Sequence, residues 1–175
     1  MNWNFETDNY IIRLPVSDQD GDALYALLSD QSVVEHIPRA AMTVENQAID
    51  ELRRIAMRFE GREAVSWLIE RKSDGQLLAR IGVQYINWMM LNTQMQWELG
   101  PECDLAVLQK VVPAVLKLLS NDLQLHRIEM RVRSGNEEYK TNLEALGFEY
   151  EGQLPAQFEY EGGDVDLDIY SVLLA

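Results

Sequence analysis

Apolar positions repeat every second residue in some stretches and every third or fourth in others, and the switches mark the elements. Tyr10 to Leu14 reads as an opening strand that Pro15 ends. Ser17-Asp18 then offers a helix cap, with Ala23, Leu24, Leu27 and Leu28 at helical spacing. A loop through His36, Pro38 and Arg39 leads to Thr43, which caps a second predicted helix carrying Ala48, Ile49, Leu52, Ile55, Ala56 and Phe59 up to Gly61. Val65 to Arg71 and Gln76 to Ile86 form a predicted hairpin around Ser73-Asp74-Gly75, because Asp-Gly supplies the positive φ of a tight reversal. Thr93 to Leu99 is the next strand.

Leu105 to Leu119 is apolar on nearly every side, which predicts a buried helix. Pro113 lies inside it, so the helix either kinks there or begins near it. Arg127 to Arg133 alternates strictly, with Ile128, Met130 and Val132 on one face, as a half-buried strand does. Asn136 opens a last helix that Gly147 closes, and Phe148 to Leu174 forms two strands around Glu161-Gly162-Gly163. The order is strand, two helices, three strands, helix, strand, helix, two strands. That predicts an α/β (α+β) fold, a mixed and mostly antiparallel twisted sheet flanked by helices. At 175 residues, one domain over 1–175 is expected.

Composition adds exclusions. Cys103 is the only cysteine, which rules out an internal disulfide and fits a reducing, cytoplasmic setting. The opening residues lack the basic and apolar regions of a signal peptide, and the longest apolar run, Val111 to Leu119, is interrupted by Lys117. Two histidines and one cysteine make no metal site. A net charge of −14 argues against nucleic acid and mildly favours a cationic partner. Trp88, Met89, Met90 and Leu91 either form an exposed patch that pairs subunits or pack inside, so monomer and homodimer both stay open.

The stretch Leu125 to Gly152, LHRIEMRVRSGNEEYKTNLEALGFEYEG, resembles the C-terminal half of GNAT-superfamily N-acetyltransferases, above all the ribosomal-protein N-terminal serine/alanine acetyltransferases. The Leu-His-Arg-Ile-Glu strand, Asn136, Leu146-Gly147-Phe148 and Glu151-Gly152 carry the likeness, and Gly162, Asp166 and Tyr170-Ser171 match the closing hairpin. The resemblance implies a GNAT fold, acetyl-coenzyme A as cofactor, and a primary amine as acceptor: a protein N-terminus, a polyamine or a small amine.

The same resemblance locates the pyrophosphate motif, Gln/Arg-x-x-Gly-x-Gly/Ala, on Cys103, Asp104, Leu105, Ala106, Val107 and Leu108, where no glycine stands. Glycine lets backbone N–H groups approach phosphate oxygens without a Cβ in the way. Asp104 instead brings a carboxylate that caps the same helix start. The coenzyme would then need other pyrophosphate contacts, Lys110 or main-chain groups around Leu105 to Val107.

Acetyl transfer needs a base for the amine and an acid for the leaving thiolate. Glu98, near a strand end, is the preferred base, with a solvated carboxylate as the plain alternative. Tyr139 stands where the family has a serine acid; it is either that acid or a bulky packing residue in the pantetheine channel. Asn136 is a coenzyme contact or merely a cap. His36 lies in the loop that the resemblance makes a substrate wall, or is incidental; His126 and Tyr170 read as structural, and Cys103 as a reactive or an inert thiol. Two functions follow: an acetyl-coenzyme A-dependent N-acetyltransferase, or a GNAT-fold binding or regulatory protein that lost the glycine-rich loop.

Overall fold

The computed structural model describes every residue except Pro38. Among the described residues, eight strands form one sheet in the order β1-β2-β3-β4-β5-β6-β8-β7. Their ranges are β1 Phe5–Glu6, β2 Tyr10–Arg13, β3 Val65–Arg71, β4 Leu77–Asn87, β5 Asn92–Leu99, β6 Arg127–Arg133, β7 Glu149–Tyr160 and β8 Gly163–Leu173. All neighbours are antiparallel except β5 and β6, which run parallel and therefore need a crossover. Helix α4, Leu105–Asn121, supplies it.

Alternation along the strands divides the core in two. Trp67 and Ile69 of β3 point to one face, packed with Ile81, Trp97 and the buried side of α4. Leu68 points to the other, against helices α1 (Gly21–Leu28), α2 (Gln31–Val34) and α3 (Asn46–Glu60). Helix α5, Glu137–Ala145, adds Leu143 to the first cluster. The Asp-Gly turn forms as expected, with Gly75 at φ 69°.

Several local expectations shift. Helix α1 starts at Gly21 rather than after Ser17-Asp18, because Asp20 turns its carboxylate to Arg13 (2.6 and 2.8 Å) and to the Val16 N–H. Helix α3 starts at Asn46, and Thr43 is not its cap; Gln47 reaches back to accept from the N–H groups of Thr43 and Val44. The one-turn helix α2 comes before the expected loop through His36 and Arg39, its cap Asp30 accepting from Ser32, and Pro38 of that loop lies outside the described residues. Pro113 neither delays nor ends α4. It and Gln109 both lie on the exposed side, so water solvates the carbonyl that loses its partner.

One irregularity matters for function. Strands β5 and β6 pair only through Asn92–Gln94 and Arg127–Glu129, then diverge. The Gly100 N–H donates to Leu78, so by alternation Glu98 and Gln96 direct their main-chain groups at β4. Met95, Trp97 and Leu99 therefore direct theirs into the wedge that opens beside β6.

Candidate active site

The wedge is already partly furnished. His36, from the loop after α2, sets its Nε2 2.8 Å from the Trp97 carbonyl. Since that nitrogen donates, Nδ1 is the acceptor, and the Tyr139 hydroxyl lies 3.1 Å from it. The two rings stack with centroids 4.5 Å apart, and Tyr139 lies 6.2 Å from the Trp97 ring. Burial lowers the His36 pKa, so the ring is neutral. Burial likewise raises the Tyr139 phenol, which stays protonated. His36 is thus no incidental loop residue. It replaces a hydrogen bond that β6 no longer provides.

At the start of α4, Asp104 accepts from the Val107 N–H at 3.1 Å, and its own carbonyl takes the Leu108 N–H. Val107 and Leu108 bury their side chains in the core. Of the six motif positions, Leu105 and Ala106 keep first-turn amides without an intrahelical acceptor, and Ala106 and Asp104 are exposed. Cys103 is buried, and burial pushes its thiol up to about 12, so the inert reading fits. Lys110 is exposed one turn further on. Asn136 caps α5, its side chain accepting from the Tyr139 N–H at 3.1 Å.

On the other face of the sheet, α3, β3, β4 and β5 border a half-open cavity of about 420 Å3. Helix α3 contributes Glu51, Arg54, Ile55 and Arg58, whose spacing is one helical face. Gly82 forms part of the floor, where a Cβ would stand only 2.8 Å from the Val65 carbonyl oxygen.

Glu98 also lines this cavity, but it is wholly buried, not solvated. Both its oxygens accept from Arg80, at 2.7 and 2.5 Å. Arg80 is 4% exposed and also donates to Glu51 at 2.6 Å. Burial would raise the Glu51 carboxyl, yet Arg80, Arg39 and Arg54 more than offset it and hold it down to about 2. Burial pulls the Arg80 guanidinium down, and the two carboxylates raise it by more. Both Glu98 oxygens are therefore committed to the Arg80 fork.

Glu98 and Tyr139 consequently flank β5 from opposite sides, one with the arginines and one on Trp97. The arginine network escaped sequence reading. Its trace was a lone Arg80 in the otherwise apolar run Leu77 to Ile81, which only the register Arg80 to Glu98 makes meaningful.

The description "acetyltransferase (GNAT) domain" matches residues 10–149, four-fifths of the sequence. The chain belongs to this family. Among curated GNAT relatives, the uncharacterized N-acetyltransferase YoaA of Bacillus subtilis (strain 168) is 27% identical over 169 residues, covering 96% of this chain and 95% of that protein. The ribosomal-protein-S5-alanine acetyltransferase of Vibrio fischeri superposes with a TM-score of 0.85 at 17% identity, over 98% of this chain and 97% of the other. The spermidine N-acetyltransferase of Vibrio cholerae, crystallised with CoA and spermine, gives 0.82 at 17%, over 95% and 96%. These likenesses establish the GNAT fold expected from the sequence, a mixed and mostly antiparallel sheet flanked by helices. Among the described residues, no helix is long and apolar enough to cross a membrane, and no three metal-ligating side chains cluster.

Whether this GNAT site suits acetyl-coenzyme A depends on the wedge. Its β5 edge has main-chain groups free of β6, and the Trp97 indole N–H is buried with no partner among the described residues. An orphaned donor of that kind costs about 1–3 kcal/mol unless an acceptor meets it. A thin arm with amide groups would fit the main-chain groups that β5 leaves free of β6. At the start of α4 a diphosphate would find only two unpaired amides beside the Asp104 carboxylate.

Proposed function

We propose that this protein acetylates a primary amine, with acetyl-coenzyme A lying along the β5–β6 wedge and the acceptor in the 420 Å3 cavity. The observation that carries the reading is that wedge and cavity meet across three consecutive residues of β5, Gln96 to Glu98. Leu105 and Ala106 would hold the diphosphate through their amides, with Lys110 as the nearby cation. When bound, the cofactor supplies an acetyl group activated as a thioester, whose carbon–sulfur bond breaks as the carbon–nitrogen bond forms and a proton passes from nitrogen to sulfur.

The chain's own residues then divide the work. Tyr139 keeps its proton at neutral pH and donates it to His36 Nδ1, so the hydroxyl would turn from His36 to protonate the leaving sulfur. Glu98 acts chiefly as the counter-charge that fixes Arg80 in the cavity floor. The arginines lower the pKa of an amine beside them, since like charge disfavours an ammonium, and this lessens the demand on a base.

Asp104 is the feature that most weakens the cofactor site, and it provides the test. Asp104→Ser keeps a helix cap while removing the charge. Calorimetric titration should give micromolar coenzyme A binding for the native chain and binding tighter by about 3- to 10-fold for the variant, the scale of one helix-terminal charge. No heat from either protein at millimolar ligand would favour the silent binding module instead.

A further inference from the structure

The acceptor cavity has a charge opposite to that of the molecule around it. The chain has a net charge of −14, yet four arginines line the cavity, Arg39, Arg54, Arg58 and Arg80, against the two glutamates Glu51 and Glu98. Two positive charges are therefore in excess. They are also unequally committed. Arg80 spends its guanidinium on Glu98 and Glu51 at 2.5–2.7 Å, and Arg54 meets Glu51 at 2.5 Å.

Arg39 is different. Its nearest carboxylate oxygens are 3.4 Å away on Glu51 and 3.8 Å away on Glu98. Charge-assisted bonds of an arginine normally close to 2.7–2.9 Å. Its side chain is 24% exposed and lines the cavity, and among the described residues its guanidinium donates only to Glu51, at 3.4 Å, leaving most of its five donors without a partner there. Arg58 adds a further positive charge on the same wall.

We infer that the acceptor is a small amine that also bears a carboxylate, of the α-amino acid class, and that Arg39 is the residue that grips that carboxylate. This rests on the acetyl-transfer reading above. A carboxylate facing Arg39 and Arg58 neutralises the excess and completes a planar fork that neither glutamate fills. The amine attached to it then lies among positive charges that favour its neutral, nucleophilic form. A polyamine does the reverse, adding positive charge to a cavity already in surplus. The polar lining of Ser66 and the hydrogen-bonded Gln84–Gln96 pair (2.9 Å) leaves side-chain choice to the remaining wall.

The experiment pairs each of a panel of α-amino acids with the amine left when its carboxylate is removed, such as ornithine with putrescine and phenylalanine with phenethylamine. With acetyl-coenzyme A and the full chain, kcat/KM for the best amino acid should exceed that of its partner amine at least tenfold. Arg39→Gln should bring the ratio near one, mainly by raising KM for the amino acid. Arg39→Lys should restore part of the preference. Equal or better use of putrescine or phenethylamine by the native chain overturns the inference.

Thermal-shift titration without cofactor separates this failure from failure of acetyl transfer itself. If no amine is acetylated, an amino acid that still stabilises the native chain but not Arg39→Gln, while its amine stabilises neither, upholds the carboxylate site and discards the transferase reading. Absence of any amino-acid shift in that case overturns both.

Discussion

Glu51 shows how much a single side chain depends on its company. It lies on α3 with side-chain exposure of 12%, between Arg80, Arg54 and Arg39. Its carboxyl is held at about 2, below the ordinary value of 4.5. A carboxyl depressed on folding stabilises the native state above its unfolded pKa, and that contribution disappears as pH falls through the folded value. The window therefore runs from about pH 4.5 down to about pH 2. Discounted for partial solvent access, the linkage is worth about 2 kcal/mol. In urea melts, the native chain should exceed Glu51→Gln by that amount more at pH 5 than at pH 2. A difference that stays constant with pH would mean that Glu51 contributes no charge to the network. The sequence gives no sign of this, because Glu51 stands in a polar helix face where a carboxylate is ordinarily solvated. Asp104 is the opposite case. Its capping role follows from its place before an apolar helical run, and the bond to Val107 confirms it.

At the scale of elements, strand register does what residue type alone cannot. β-strands 3 and 4 approach so closely that Gly82 has the Val65 carbonyl oxygen 2.8 Å and the Ser66 Cα 3.4 Å from where a Cβ would stand. Both are backbone atoms, so no side-chain rotation relieves the clash. Gly82→Ala should cost about 1–3 kcal/mol, the usual range for overpacking, read from a chemical denaturation midpoint at unchanged m. It should also distort the cavity floor that Ser66 and Gly82 share. Free accommodation, with no loss of stability, would mean the two strands are less tightly apposed. The main elements were legible because their periodicity is strong: β6 spans Arg127–Arg133 as read, and α5 is capped by Asn136. The two-residue β1 and the one-turn α2 were not, since neither is long enough to show a period. The wedge itself was invisible as well, because the divergence of β5 from β6 depends on where the pairing stops.

For the whole molecule, global and local charge oppose each other, and salt should reveal it. Fourteen excess negative charges repel one another across a small surface, which penalises the compact state. Raising NaCl from 50 to 500 mM shortens the Debye length from roughly 14 Å to about 4 Å, so most of that repulsion is removed. The buried Arg80–Glu98 pair is screened far less. Stability should therefore rise with salt by about 1 kcal/mol, or ~3 °C in Tm. Carboxylate capture by Arg39 should move the other way, weakening several-fold over the same range, because its attraction acts in a half-open cavity. Parallel thermal melts and amino-acid titrations at the two salt concentrations measure both signs at once. If ligand binding strengthened together with stability, the cavity would share the negative field of the surface, and the four arginines would be serving their glutamates alone.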